Sequence, residues 1–90
     1  MIGHVSISND VEELNCDTTN FSAINGQQIV LYIDATGTSV IKYTGFTTAT
    51  TGMSIKKSWL EDIELVSGDS CVMTLTYYSN VIYASCSKFA

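Results

Sequence analysis

The side chains that could do chemistry in this 90-residue chain are few and scattered. His4 is the only histidine, so a Ser-His-Asp or Cys-His relay has to pass through it. Its place near the N-terminus reads instead as an exposed or edge-strand histidine. The three cysteines, Cys16, Cys71 and Cys86, are odd in number and show no Cys-x-x-Cys spacing. With a single His beside them they do not form a zinc site of ordinary ligand spacing. Small buried thiols are expected, ahead of one Cys71–Cys86 bridge, and a reducing compartment fits that reading. Asp10, Glu12, Glu13 and Asp17 lack the alternate-oxygen spacing of a calcium loop and read as a solvated acidic face. Glu61, Asp62 and Glu64 resemble a carboxylate pair for glycoside hydrolysis, yet their adjacency better suits a charged strand edge that discourages sheet-to-sheet pairing. Asn20-Phe21-Ser22 matches a glycosylation sequon, which without an export signal reads as accidental. There is no phosphate-cradling glycine loop. The expectation is a chain with no catalytic residue, no metal and no cofactor.

Charge narrows the partners. Nine carboxylates against four lysines and no arginine give a net charge of −5. That balance argues against nucleic acid, which is held by basic phosphate contacts, and against anionic membranes. Charged residues make up only 14% of the chain and hydrophobic ones 46%, so its polarity comes from eleven serines and eleven threonines. Such a composition folds rather than staying disordered. No apolar run approaches the ~18 residues of a spanning helix, and the N-terminus lacks the basic and apolar regions of a signal peptide. A protein made and used without export is expected.

Ninety residues make one domain, 1–90. Residues 28–33 read as a strand in which Ile29, Leu31 and Ile33 alternate with Val30 and Tyr32. Both of its faces are apolar, so a second sheet or another subunit has to cover them. Asp34-Ala35-Thr36-Gly37 reads as a turn, with Gly37 suited to positive φ, leading to a hairpin partner over 38–43. A second hairpin joins 71–77 to 81–86 after the turn Ser67-Gly68-Asp69-Ser70. Its expected register sets Tyr77 opposite Ile82, Leu75 opposite Ala84, Met73 opposite Cys86 and Cys71 opposite Lys88. Cys71 and Cys86 are then diagonal neighbours, a spacing that disfavours a bridge. Thr74, Thr76, Tyr83 and Ser85 share the opposite face. Residues 46–66 read as strands with a short helical turn near Trp59. Residues 4–8 read as a strand, and Asn9 or Asp10 as the cap of one helical turn through Leu14. The fold expected is all-β, a small antiparallel sandwich or barrel built from hairpins.

The segments Gly26-Gln27-Gln28-Ile29-Val30-Leu31, Ser67-Gly68-Asp69 and Leu75-Thr76-Tyr77 followed by Tyr83-Ala84-Ser85 occur in an order that resembles a β-rich module of bacteriophage virion structural proteins. That module occurs in tail fibres and spikes and in head decoration proteins. The resemblance covers residues 26–90. The chain departs from the pattern in having Tyr78-Ser79 at the last turn and Ile82 where a Trp is usual. The resemblance implies a virion component, located in the particle and assembled in the host cytoplasm, that works as a homotrimer. Nine aromatic residues in so small a domain also favour an oligomer. Read as a whole unit, the chain is too short for a fibre shaft, so the function expected is capsid decoration or cement. The partners are then further copies of itself and the major capsid protein or another virion protein. The alternative is a tail-fibre or tail-tip module that recognises a host-surface glycan, with Tyr78 at a loop tip stacking on sugar rings. Residues 1–21 are expected to be a docking arm or an edge strand, and 22–90 the β-body.

Overall fold

A computed structural model describes residues 2–12, 14–15, 24–47 and 52–90. Among them are nine strands: β1 (Ile2–Ile7), β2 (Leu14–Asn15), β3 (Gln28–Ala35), β4 (Ser39–Ile41), β5 (Phe46–Thr47), β6 (Ser54–Lys57), β7 (Ile63–Leu65), β8 (Ser70–Tyr78) and β9 (Val81–Phe89). Five of them form one sheet in the order β1-β3-β8-β9-β6. The pairs β4–β7 and β2–β5 form two smaller sheets. The all-β expectation is met.

β8 and β9 form because their side chains alternate. Cys71, Met73, Leu75 and Tyr77 are buried, while Val72, Thr74 and Thr76 between them are only half-buried. The two strands pair in the expected register, with Tyr77 opposite Ile82, Leu75 opposite Ala84 and Met73 opposite Cys86. Ser79 and Asn80 close the hairpin with φ of 48° and 64°. Two successive positive φ values match the right-handed twist of the flanking strands. Asn80 Oδ1 accepts from the Tyr77 hydroxyl at 3.0 Å, and Asn25 Oδ1 accepts from the Ser79 amide at 2.8 Å. At the other end of β8, Asp69 closes the expected turn. Its carboxylate accepts from the Val66 amide at 3.0 Å, and Gly68 takes a φ of 95° that disfavours any residue with a Cβ. Asp69 is buried, with Lys88 Nζ at 3.7 Å as its counter-ion.

One contiguous core joins this sheet to β4–β7. Ile33, Cys71, Met73, Leu75 and Ile82 from the large sheet pack with Ile41 of β4 and Leu65 of β7. Ile41, Leu65, Met73 and Ile82 are essentially sealed from solvent. Truncating one of these to Ala costs about 2–5 kcal/mol, a large share of what a domain this size commands.

Several expected elements fold otherwise. The first hairpin does not form: β3 pairs with β1 and β8, and β4 pairs with β7. Both edges of β3 are occupied, so residues 36–38 instead carry the chain to the second layer. Gly37 does not take a positive φ; it is needed because a Cβ there would lie 3.3 Å from the Ser8 carbonyl oxygen. Nor is the sheet antiparallel throughout, since β1 runs parallel to β3 and β6 parallel to β9. Parallel neighbours need crossovers rather than tight turns, and the chain makes them through the smaller sheets. Among the described residues after Asp10, Val11, Glu12, Leu14 and Asn15 are not helical, while Glu13 lies outside them. The Asp10 carboxylate accepts from the Val40 amide at 2.9 Å, and Val11 bridges Ile41. The one short helix among the described residues is a 3-10 turn at Tyr43–Gly45, not near Trp59, which packs half-buried against the core. Of the two roles expected within residues 1–21, residues 2–7 form an edge strand.

The cysteine expectation is overturned as well. Cys71 and Cys86 are joined by a disulfide, with Cα atoms 6.4 Å apart. The diagonal register was as expected, but the twist of the ribbon brings this diagonal within the 4.4–6.8 Å that a bridge spans. The cysteines therefore no longer argue for a reducing compartment. Cys16 lies outside the described residues. A bridge across 15 residues removes unfolded-state entropy worth about 3 kcal/mol. Reduction is expected to lower the unfolding free energy by about that amount in denaturant titrations. Thiol titration of the unreduced, denatured chain should find one free thiol, where three would show the bridge absent.

Candidate functional site

The large sheet has two unlike faces. One packs on β4–β7; the other, the outer face, has no covering layer among the described residues. The backbone registers decide what stands there. Gln28, Thr76, Tyr83 and Lys56 are direct cross-strand neighbours on β3, β8, β9 and β6. Val30, Thr74 and Ser85 make the next row, Tyr32, Val72 and Ser87 the next, and Asp34, Ser70 and Phe89 the last. Tyr32, Tyr83 and Phe89 are about half exposed, and Ile2, beside Val30 on β1, is 75% exposed. The apolar residues of β3 are thus covered on one side only. The expectation that both sides need cover is left unmet within one copy of the chain. Tyr78 does stand exposed beside the terminal turn.

The two ends of this sheet differ. At the β1 edge, Val5 is 40% exposed although its register places it on the core side. An apolar groove of about 110 Å³ opens beneath it, between Val11, Leu31 and Ile41. β1 carries no Lys or Pro to blunt pairing, whereas the β6 edge carries Lys56 and Lys57.

His4 lies on β1 opposite Tyr32, which is two residues from Asp34, the carboxylate that His4 engages. His4 Nε2 is 2.5 Å from Asp34 Oδ2, and the Ser70 hydroxyl donates to Asp34 Oδ1 at 2.7 Å. The three residue types of a hydrolytic triad therefore meet, but with the carboxylate in the middle. A triad needs the imidazole between acid and hydroxyl so that it can take the hydroxyl proton. Here Ser70 donates to Asp34 and makes no contact with an imidazole, so the group works as a surface clasp between β1, β3 and β8.

The second acidic group lies elsewhere. Glu61, Asp62 and Glu64 line an open cleft of about 430 Å³ with Tyr43 and Thr44. Asp62 is committed to local structure, accepting from the Tyr43 amide at 2.8 Å with Lys42 Nζ at 3.8 Å. All three carboxylates are exposed, whereas the acid of a glycosidase needs a sheltered site. Of the first acidic group, Glu12 is exposed and Asp10 binds the Val40 amide, while Glu13 and Asp17 lie outside the described residues, as does the Asn20-Phe21-Ser22 sequon. No cluster of three metal-ligating side chains occurs among the described residues.

Sequence reasoning found Thr74, Thr76, Tyr83 and Ser85 on one face but missed Lys56 beside them. That neighbour comes from the parallel β6–β9 pairing, which has no local signature. The chain matches no family model, no curated protein and no solved structure.

Asp34 is held below the ordinary carboxylate range, first by the hydrogen bond with His4 and then by that from Ser70; slight desolvation opposes them and the His4 charge adds to them. Its folded value lies below the unfolded value of about 3.9, so the clasp contributes fully above that pH. The contribution fades as pH falls through the lowered folded value. A carbon-detected NMR titration is expected to place the Asp34 midpoint below the unfolded aspartate value of about 3.9. His4→Ala should raise that midpoint more than Ser70→Ala; no change in either variant would show that the clasp does not form.

Proposed function

We propose that this chain is a non-catalytic structural protein of a bacteriophage particle, a capsid decoration or cement protein. In this reading it acts as a homotrimer bound to the major capsid protein or another virion protein. The observation that carries it is the uncovered outer face, with Ile2, Tyr32, Tyr78, Tyr83 and Phe89 exposed on a rigid sheet. The resemblance of residues 26–90 to virion modules supplies the class of particle. Fully burying such a side chain yields about 1.5–3 kcal/mol. The five together, four of them about half-buried and Ile2 75% exposed, yield several kcal/mol, against an association cost of about 4–15 kcal/mol. One copy on a flat partner is therefore weakly held, and linked copies gain by avidity. The unguarded β1 edge and the groove under Val5 supply a surface for self-association. The Tyr83 row at the other end of the sheet favours a second reading, a tail module that recognises a host-surface glycan.

Light scattering at micromolar concentration is expected to give three times the 9.8 kDa chain mass, and a monomer would overturn the trimer. Mass-spectrometric counting on purified particles should find hundreds of copies for decoration. A few copies, or a few dozen, would move the chain to the tail. Exposed ion pairs contribute only about 0–1 kcal/mol each, and this surface has few cations to offer. Raising salt to about 1 M, where the Debye length is roughly 3 Å, should then release little protein from particles. Complete release would show that attachment is electrostatic.

A further inference from the structure

The outer face is chemically uneven, and its β6 end is the part that resembles a ligand site. Gln28, Thr76, Tyr83 and Lys56 set an amide, a hydroxyl, an aromatic ring and an ammonium in one row across four strands. At ~4.8 Å per strand that row is about 14 Å long. Gln28 Nε2 donates to Thr76 Oγ1 at 3.2 Å, which orients the hydroxyl. The next row adds Thr74 and Ser85, and Ser58 is tied alongside by its amide to the Ala84 carbonyl at 3.0 Å. Lys56, Ser58, Thr76, Tyr83 and Ser85 wall a shallow cleft of about 290 Å³, with Lys57 and Ala84 also lining it and the Lys57 ammonium turned to the Tyr43 carbonyl.

Charge says what enters it. The chain has nine carboxylates and four lysines, yet no carboxylate lines this cleft. Lys42 and Lys88 face Asp62 and Asp69, and Lys57 donates to the Tyr43 carbonyl at 2.9 Å. Neither Lys56 nor Lys57 reaches a carboxylate among the described residues, and of the two only Lys57 has a hydrogen bond there. Lys56 Nζ lies 5.9 Å from the centre of the Tyr83 ring, at the outer limit of a cation–π contact, so the ammonium is loosely held. A matching ligand has a single anionic group, an apolar ring face and several hydroxyls. Inorganic phosphate lacks the ring face, and a nucleic-acid strand requires more cations than one.

We propose that this cleft binds a carboxylated sugar residue of a glycan. The C–H face of the sugar ring packs on Tyr83, its hydroxyls exchange hydrogen bonds with Thr76 and Ser85, and its carboxylate takes the Lys56 ammonium. The proposal deepens the glycan reading above and holds wherever on a particle the chain sits, so a copy count and a binding test fail independently. The test is an amide NMR titration of the full chain with tetragalacturonate, run beside neutral maltotetraose and adenosine monophosphate at millimolar concentrations. Tetragalacturonate is expected to shift Lys56, Thr76, Tyr83 and Ser85 and to bind more tightly than maltotetraose. Lys56→Gln should weaken it about 3–5-fold, in keeping with one exposed ion pair, and erase its advantage over maltotetraose. Tyr83→Ala should abolish binding with the β8–β9 amide pattern intact; Tyr83→Ser serves if that variant misfolds. Absence of shifts in this row, or unchanged binding by the Tyr83 variants, overturns the site. Equal binding of maltotetraose by the wild-type chain overturns the carboxylate assignment, and preferential binding of the nucleotide reassigns the cleft.

Discussion

Because β8 is hydrogen-bonded along both edges, the alternation of its side chains decides which face of every neighbouring strand is buried. Met73 sets Leu31 and Cys86 on the core side, while Thr76 sets Gln28 and Tyr83 on the outer side. A slip of one residue would invert both strands at once, exposing Met73 and Leu75 and burying Thr74 and Thr76. Three local devices oppose that slip. Ser79 and Asn80 fix the hairpin at one end, Asp69 closes the turn at the other, and the Cys71–Cys86 bridge pins the diagonal between them. The outer face inherits its composition from the same alternation.

Among the described residues, one face of the five-stranded sheet is covered and the other is not. β4 and β7 contribute Ile41 and Leu65 to the core, and that small second layer leaves Val5 at the β1 edge partly open. The exposed aromatics on the outer face stand where no second layer is described. The lysines at the β6 edge and the lack of them at β1 then make the two ends of the sheet different surfaces. One end suits apolar contact and strand pairing, the other a polar ligand.

The elements legible in the sequence were those joined by short connections. The β8–β9 register followed residue by residue from two alternating runs and a two-residue turn. The Gly68-Asp69 turn was legible from its residue types. What escaped was every pairing between distant segments. The parallel pairs β1–β3 and β6–β9 leave no mark in local spacing, and the apolar run of β3 gives no hint that both its edges are taken. Gly37 looked like a positive-φ turn residue because its composition was visible and the backbone of Ser8 beside it was not. The Cys71–Cys86 contact failed for a metric reason: its register was right, but a flat ladder overstates the diagonal of a twisted one. The candidate site divides the same way. Thr76, Tyr83 and Ser85 were placed on one face by alternation, whereas Lys56 arrives by a crossover.

Two carboxylates with candidate chemical neighbours make contacts that hold the fold together. Asp34 gathers His4 and Ser70 into a clasp across three strands, and Asp62 holds the Tyr43 amide where the chain turns toward β5. Each of these two carboxylates is tied to a neighbouring strand or turn, whereas Glu61 and Glu64 beside Asp62 stand exposed. The β6 end of the outer face presents a ring, hydroxyls and one ammonium, groups that suit the binding of a polar ligand. A single such patch binds weakly. Copies joined through the β1 edge would present several of them from one rigid body, and linkage converts weak contacts into avidity without any new contact. Association at the β1 edge and binding at the β6 edge would then occupy opposite ends of one sheet without competing for the same surface.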